Sequence, residues 1–111
     1  MNLIKIIIYT TCTGKKPFAD WRSKLDLKTR ALVRTRIDRV SFGNLGDCKP
    51  IKNGDGVWEL RINYGPGYRI YFGKEKDAIV VLLVAGDKGS QSRDIVKAKR
   101  YWLDYKELKD E

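Results

Sequence analysis

Residues 57–72, VWELRINYGPGYRIYF, are typical of two β-strands joined by a tight turn. Apolar and mostly polar side chains alternate in both halves, and successive side chains of a strand point to opposite faces of a sheet. Gly65-Pro66-Gly67 suits a turn, because glycine tolerates positive φ and proline fixes φ. The stretch therefore predicts a β-hairpin with one apolar face, made of Trp58, Leu60, Ile62, Tyr64, Tyr68, Ile70 and Phe72.

The two faces of this hairpin restrict how its strands pair. For the apolar residues of both strands to share one core, odd-numbered residues must lie opposite odd-numbered ones. Arg61 then lies opposite Arg69 or Tyr71, and Glu59 joins them on the other face. Like charges opposite each other destabilise a sheet, so the arginines suggest an anion, either the Glu59 carboxylate or an external phosphate. The alternative is an ordinary solvated face on which Glu59 balances one arginine.

The chain carries a strong positive charge. Its 111 residues, enough for one domain, include 23 Lys and Arg against 14 Asp and Glu, which gives a formal net charge of +9. This bias favours nucleic acid, an anionic surface or an acidic protein as the partner.

Cysteine chemistry is not expected from this composition. The chain contains two cysteines, Cys12 and Cys48, and no histidine to serve as the base of a cysteine nucleophile. Neither a zinc-ligand spacing nor a phosphate-loop pattern is present. The apolar run at 3–9 is too short for a secretory signal or a membrane span. We therefore expect a cytoplasmic protein with reduced thiols and no membrane contact.

Six further elements are predicted from hydrophobic periodicity and from turn and cap residues. They are a strand at 3–9, a helix from Pro17 to near 26, a helix at 27–42, a brief edge strand near 49–52, a strand at 78–85 and a helix with Ser90 as its N-cap. The first and last of these strands are apolar without alternation, which is typical of strands covered on both faces. The order predicts an α+β fold in one domain, 1–111: a small antiparallel sheet of about four strands, two N-terminal helices packed on one side and a C-terminal helix.

The polar face of the hairpin carries residue types that suit RNA. The guanidinium of Arg61 or Arg69 can bond two phosphate oxygens at once, and Tyr71 offers a hydroxyl and a stacking surface. Lys88 follows the last strand and is expected beside this face. In RNA cleavage the 2′-hydroxyl is an internal nucleophile, so the protein must align it, move protons and stabilise phosphate charge, without a metal. We predict these four side chains as catalytic.

Four more side chains are predicted to contact the RNA: Glu59, Arg93, Lys97 and Arg100. The last three fall together on one face of the C-terminal helix, near the rim of the predicted site. The ordinary interpretation is a solvated helix face, with Glu59 as an ion-pair partner of an arginine.

The helix at 27–42 is also loaded with positive charge, from Lys28, Arg30, Arg34, Arg36 and Arg39. A charged helix face is usually solvated. The alternative is a docking face for an acidic partner or for a phosphate backbone.

Four consecutive segments, VWELR, GYRIYF, AIVVLLVAGDK and SRDIVKAKRYWLDY, resemble the RelE/ParE superfamily of bacterial toxins in residues and in order. The chain looks most similar to the phage-associated, HigB-like branch of addiction module killer proteins. The resemblance covers nearly the whole chain. It implies a small antiparallel sheet with two helices on one side and a last helix near the active face.

The resemblance also implies a function. Many RelE-like toxins cut messenger RNA at the ribosomal A site, and each is held inactive by a cognate antitoxin that wraps it in a hetero-oligomer. Arg69 matches the arginine of the same strand motif in the family, Arg61 and Lys88 match basic positions, and Tyr71 has suitable chemistry. A type II toxin acting as a ribosome-dependent endoribonuclease, without a cofactor, is therefore the leading hypothesis.

Two departures from the family pattern keep other functions open. Glu59 stands where cleaving members often carry a lysine, and no tyrosine or histidine follows Lys88 where several of them have one. A ParE-type toxin that inhibits DNA gyrase without catalysis is the first alternative. A non-toxic, basic nucleic-acid-binding module is the second.

Overall fold

The computed structural model describes residues 3–109, and its elements follow the predicted order. They are β1 (Lys5–Ile8), α1 (Pro17–Ser23), α2 (Leu27–Ser41), β2 (Cys48–Pro50), β3 (Val57–Ile62), β4 (Tyr68–Glu75), β5 (Ile79–Asp87), a 3₁₀ turn (Lys88–Ser90) and α3 (Gln91–Lys109). Among residues 3–109, no helix combines the length and the apolar character that crossing a bilayer requires.

Within residues 3–109 the sheet has five strands in the order β1-β5-β4-β3-β2. Of these, β1 and β5 pair in parallel, and the other neighbours are antiparallel. The α+β fold with a mostly antiparallel sheet is thus confirmed, with β2 as a short fifth strand. The first strand is covered on both faces as predicted, since Ile6 and Ile8 pack on one side of the sheet and Ile7 packs on the other. Because β1 is an edge strand, Lys5 is nevertheless exposed and the isoleucines are only half-buried.

Helices pack on both faces of the sheet. On one face α1 and α2 close a core formed by Phe18, Val33, Val40, Leu60, Ile62, Ile70, Phe72, Val80, Leu82 and Ala85. On the other face α3 closes a second core formed by Tyr9, Val57, Tyr71, Val81, Leu83, Val84, Ala98 and Trp102. The polar face of the hairpin is therefore not an ordinary solvated face, because α3 lies against the same side of the sheet.

The hairpin register follows the odd-to-odd pairing that the alternation predicts. Arg61 lies opposite Arg69, and Glu59 lies opposite Tyr71. On the other face the rings of Trp58 and Phe72, which are also directly paired, stack with centroids 6.2 Å apart. The alternation of apolar and polar residues in the sequence thus predicts correctly which side chains share a face of the sheet.

β5 contains one extra residue where it pairs with β4. Tyr71 lies opposite Val84, but the next residue, Phe72, lies opposite Leu82, so Leu83 bulges out of the ladder. A bulge of this kind places two successive side chains on the same side of a strand. Leu83 and Val84 accordingly both enter the core under α3.

Two glycines let α3 approach the sheet closely. A Cβ added at Gly73 would lie 2.2 Å from Cε3 of Trp102, and a Cβ added at Gly86 would lie 2.0 Å from Oδ2 of Asp94. Neither position has room for any larger residue. These contacts position the first and middle turns of α3 against the strands.

The boundaries of the helices depend on two aspartates. α1 ends at Ser23, before the predicted end near 26, because the Asp26 carboxylate caps α2 by accepting a hydrogen bond from the Thr29 N–H at 2.8 Å. Ser90 is not a simple N-cap of α3. Instead, Asp87 caps the 3₁₀ turn that precedes α3: its carboxylate accepts from the Ser90 N–H at 3.1 Å, while the Ser90 hydroxyl accepts from the Asp87 N–H at 3.2 Å.

We expect Gly73→Ala to lower the free energy of unfolding by about 1–3 kcal/mol, because the new methyl group overlaps the indole of Trp102. Urea unfolding of the purified protein measures this change. In a Trp102→Phe background the smaller ring should relieve the overlap, so the cost of Gly73→Ala should shrink. An equal cost in both backgrounds would show that the indole is not what excludes a side chain here.

Candidate anion-binding site

An arginine pair lies at the turn end of the hairpin, on the sheet face that α3 covers further along. Arg61 and Arg69 are direct neighbours on β3 and β4, and Gly86 lies next to Arg69 on β5. The row across these three strands therefore carries two guanidinium groups, on β3 and β4, while Asp94 of α3 packs over its third position at Gly86. Two like charges in this position require a counter-ion.

Glu59 supplies that counter-ion from inside the protein. Its side chain is only 2% exposed, and its Oε2 lies 3.2 Å from Nε of Arg61, while its Oε1 lies 3.6 Å from Nε of Arg69. The amide of Gln91 donates a further hydrogen bond to Oε1 at 2.9 Å. Glu59 therefore joins β3, β4 and the first turn of α3, and within the described residues it is the one carboxylate at ion-pair distance from the two arginines.

The two arginines differ in what they offer to a ligand. The Arg61 side chain is 35% exposed, and among residues 3–109 only its Nε takes part in a hydrogen bond. The Arg69 side chain is 12% exposed and donates from Nη1 to the Gly67 carbonyl at 3.1 Å. Arg61 is thus the more exposed of the two, and its two Nη groups make no hydrogen bond within the described residues, while Arg69 is held by the turn.

Lys88 lies beside the same turn. A Cβ at Gly67 would be 4.0 Å from Cβ of Lys88 and 3.4 Å from Nη1 of Arg69, so the two cations flank one glycine. Lys88 is exposed and forms no ion pair within the described part of the chain. The structure therefore brings Arg61, Arg69 and Lys88 together at the end of the sheet.

Tyr71 lies beneath this surface and not in it. Its side chain has no exposed area, and its hydroxyl makes no hydrogen bond within residues 3–109. Burial, together with the negative charges of Glu59 and Asp94, raises the pKa of the Tyr71 hydroxyl well above its usual value. In this structure neither Tyr71 nor Glu59 can touch a substrate, so the predictions that they act on or bind RNA directly have no support in their placement.

The predicted RNA contacts on α3 are Arg93, Lys97 and Arg100, and within the described residues none of them shares a hydrogen bond or an ion pair with the Glu59 cluster. Arg93 and Arg100 are exposed and Lys97 is half-buried, and none of them makes an ion pair within the described residues. The guanidinium of Arg100 instead lies 5.8 Å from the ring centroid of Tyr101. These three cations remain predictions.

Gln91 belongs to the Glu59 cluster and was not predicted from the sequence. A glutamine at the start of a helix carries no motif, and only the placement of α3 over the hairpin shows that its amide faces Glu59. The one sequence feature that could have indicated this contact is the position of Gln91 directly after the turn that follows β5.

The site offers cationic groups, which suit a phosphate far better than a metal ion. Within residues 3–109, no three acidic or cysteine side chains lie close enough together to hold a metal ion. The chemistry that the arrangement supports is binding an anion and stabilising negative charge that develops on it.

Comparisons with known proteins agree with the resemblance seen in the sequence. The profile of a family described as phage-derived protein Gp49-like (DUF891) matches residues 20–102. An uncharacterized protein of Haemophilus influenzae is 45% identical over 95 residues, which cover 85% of this chain and 90% of that protein. The matched region includes the hairpin, the 3₁₀ turn and α3 as far as Trp102, and therefore the whole arginine site.

We expect Glu59→Gln to lower the free energy of unfolding by about 3 kcal/mol, because removing one member of a buried ion pair leaves two guanidinium groups facing each other. Urea unfolding at low salt measures the loss. Sulfate should restore more stability than chloride at matched ionic strength, since a divalent oxyanion can replace the carboxylate.

Asp38→Asn is the matched control. Asp38 pairs with Arg34 at 4.0 Å, but both side chains are largely exposed, so the change should be below about 0.5 kcal/mol. A Glu59→Gln protein as stable as its parent would show that the carboxylate does not hold the arginines together.

Proposed function

Since the chain belongs to the phage-derived Gp49-like family, which is associated with toxin–antitoxin systems and is RelE/HigB-like, we propose that it is a toxin that cleaves messenger RNA on the ribosome. The observation that carries this proposal is the arginine pair with Glu59 as its buried counter-ion. Within the described residues one carboxylate is paired with two guanidinium groups there, the guanidinium of Arg61 is partly exposed, and the exposed Lys88 lies at the same end of the hairpin.

The proposed reaction uses the 2′-hydroxyl of the RNA as the nucleophile. Arg61 binds the scissile phosphate through the part of its fork that faces solvent, and Arg69 adds charge from the base of the site. Both stabilise the extra negative charge of the phosphorane-like transition state. Lys88, which is exposed beside them, neutralises or protonates the leaving oxygen. Glu59 and Gln91 act as positioning residues, because they hold the guanidinium groups before any substrate arrives.

Among the described residues, the site has no obvious group to remove the proton of the 2′-hydroxyl. Glu59 is buried and engaged with cations, and Tyr71 is buried with a raised pKa, so neither is available to remove the 2′-hydroxyl proton. Catalysis here relies on alignment and charge, and on groups that the ribosome or the RNA contributes. The cognate partner is an antitoxin, which we expect to act in the cytoplasm together with the toxin.

One observation favours the second candidate, a toxin that inhibits DNA gyrase without catalysis. The described residues bring no accessible general base to the arginine pair, whereas α2 presents several exposed arginines, as a protein-binding surface would. A gyrase inhibitor should tolerate changes at Lys88 and Arg69 and lose its effect when a helix surface is changed.

We expect Lys88→Ala to abolish messenger cleavage while leaving the fold intact, because Lys88 is exposed and makes no ion pair within the described part of the chain. Induction in bacteria, followed within minutes by measurement of protein synthesis and mapping of RNA 5′ ends, tests this. Arg69→Lys is the second variant, since it keeps the charge beside Glu59 but loses the planar fork. Arg39→Ala, which removes an exposed arginine from α2, is the matched control and should cleave like the parent.

Three results would contradict the proposal. Intact messenger with arrested DNA replication and an SOS response would support the gyrase alternative. Cleavage that survives both Lys88→Ala and Arg69→Lys would show that the active site lies elsewhere in the protein. No effect on growth would support the alternative of a non-toxic binding module.

We expect Tyr71→Phe to retain cleavage within about threefold and to change the free energy of unfolding by less than about 1 kcal/mol, because its hydroxyl has no hydrogen-bond partner to lose among the described residues. The same induction assay and urea unfolding check both numbers. A loss of cleavage as large as that of Lys88→Ala would assign the tyrosine a direct role that its burial argues against.

A further inference from the structure

The Ser90 hydroxyl and the Asp94 carboxylate form a hydrogen-bonded pair where the 3₁₀ turn meets α3. Ser90 Oγ donates to Oδ2 of Asp94 at 2.5 Å, the short range that is expected when a hydroxyl meets a charged carboxylate. Asp94 is only 5% exposed, whereas Ser90 is half-buried. The pair therefore joins a carboxylate inside the protein to a hydroxyl at its surface, and no step of the mechanism proposed above uses it.

The pair lies at the end of the row that contains the two arginines. A Cβ added at Gly86 would lie 2.0 Å from Oδ2 of Asp94 and 2.4 Å from Oγ of Ser90, so both polar groups rest directly on that glycine. Gly86 pairs with Arg69 across the neighbouring strand, and neighbouring strands lie about 5 Å apart. The Ser90 hydroxyl therefore lies one strand away from Arg69, on the turn that also carries Lys88.

The Ser90 hydroxyl keeps one lone pair free among the described residues. A hydroxyl has one proton to donate and two lone pairs that accept. The proton goes to Asp94, since the alternative acceptor, the Asp87 carbonyl, is 3.3 Å away, and one lone pair accepts from the Asp87 N–H at 3.2 Å. The hydroxyl can therefore accept one more hydrogen bond, from a group that arrives from solvent.

Asp94 differs from Glu59, the other buried carboxylate on this face of the sheet. Glu59 contacts two guanidinium groups and the Gln91 amide, so both of its oxygens are engaged. Asp94 accepts from Ser90 and forms no ion pair within the described residues. Asp94 can therefore take up a proton without breaking an ion pair, which Glu59 cannot do.

We propose that Ser90 and Asp94 carry away the proton of the 2′-hydroxyl in the cleavage reaction proposed above, on which this inference rests. As the 2′-oxygen bonds to phosphorus, its proton passes to Oγ of Ser90, and the Ser90 proton passes to Oδ2 of Asp94. The bond from phosphorus to the 5′-oxygen breaks, and this oxygen takes a proton from Lys88. The products are a 2′,3′-cyclic phosphate and a 5′-hydroxyl end. Asp94 then loses its proton to solvent through Ser90, and Lys88 regains one from solvent.

The experiment compares two messenger RNAs on ribosomes, one with the ordinary linkage at the mapped cleavage site and one with sulfur in place of the 5′-oxygen. A thiolate leaves without being protonated, so sulfur removes the need for Lys88 but not for an acceptor of the 2′-hydroxyl proton. We expect Ser90→Ala and Asp94→Asn each to slow single-turnover cleavage of both RNAs about 100-fold or more. Lys88→Ala should be slow with oxygen and regain about tenfold or more with sulfur.

The choice of variants keeps the result independent of folding and binding. Asp94→Asn preserves the shape of the side chain and an oxygen that accepts from Ser90, but an amide does not take up the proton. Ser92→Ala removes an exposed hydroxyl from the first turn of α3, and it should cleave within about threefold of the parent because it removes no group of the relay. Urea unfolding and the affinity for programmed ribosomes show whether each variant is folded and binds its substrate.

Three outcomes would overturn the inference. Rescue of Ser90→Ala by sulfur, as complete as that of Lys88→Ala, would show that Ser90 only holds the turn that carries Lys88. Normal cleavage by Asp94→Asn would show that the ribosome or the RNA accepts the proton. A parent protein that cleaves neither RNA would refute the proposed function and the relay together, whereas the first two outcomes refute the relay alone.

Discussion

The Glu59 carboxylate is removed from water and held by three side chains from different elements: Arg61 and Gln91 donate hydrogen bonds to it, and Arg69 forms an ion pair with it at 3.6 Å. Taking a charge out of water costs several kcal/mol, and this cost is offset only when opposite charges and hydrogen bonds surround the group. Arg61, Arg69 and Gln91 meet that requirement, so the hairpin and the first turn of α3 are tied to one point. The arginines are consequently oriented before a ligand arrives, and an incoming phosphate meets donors that need no reorganisation.

α3 closes one end of this sheet face and leaves the other open. Trp102 packs on Gly73 and Asp94 packs on Gly86, so α3 fits closely where the strands carry no side chain. Tyr71 fills the layer between the helix and the arginine pair, and its burial separates the second core from the anion site. The buried carboxylate network and the apolar core thus support each other along one face, while the basic end stays accessible.

Much of this could be predicted from the sequence because it depends on local pattern. The alternation of apolar and polar residues in the hairpin determines that Arg61 and Arg69 share a face. The uniformly apolar segment at 78–85 indicates a strand inside the sheet. The burial of Glu59 and Tyr71 could not be predicted, since it depends on where a helix more than twenty residues further along the chain packs. The hydrogen bond from Gln91 to Glu59 and the hydrogen bond from Arg36 of α2 to the Arg61 carbonyl also depend on tertiary packing. Neither leaves a periodic signal in the sequence.

The extra residue in β5 bears on how this protein tolerates sequence change. The strand is a run of interchangeable aliphatic residues, so exchanging one of them for another alters the packing only modestly. Removing a single residue at Leu83 would instead leave a regular ladder, in which Val84 still pairs with Tyr71 and Leu82 still pairs with Phe72, so Gly86 would keep facing α3. The loss would be one apolar side chain from the core under α3. The extra residue therefore serves the packing beneath the helix, and the facing of the strand does not depend on it.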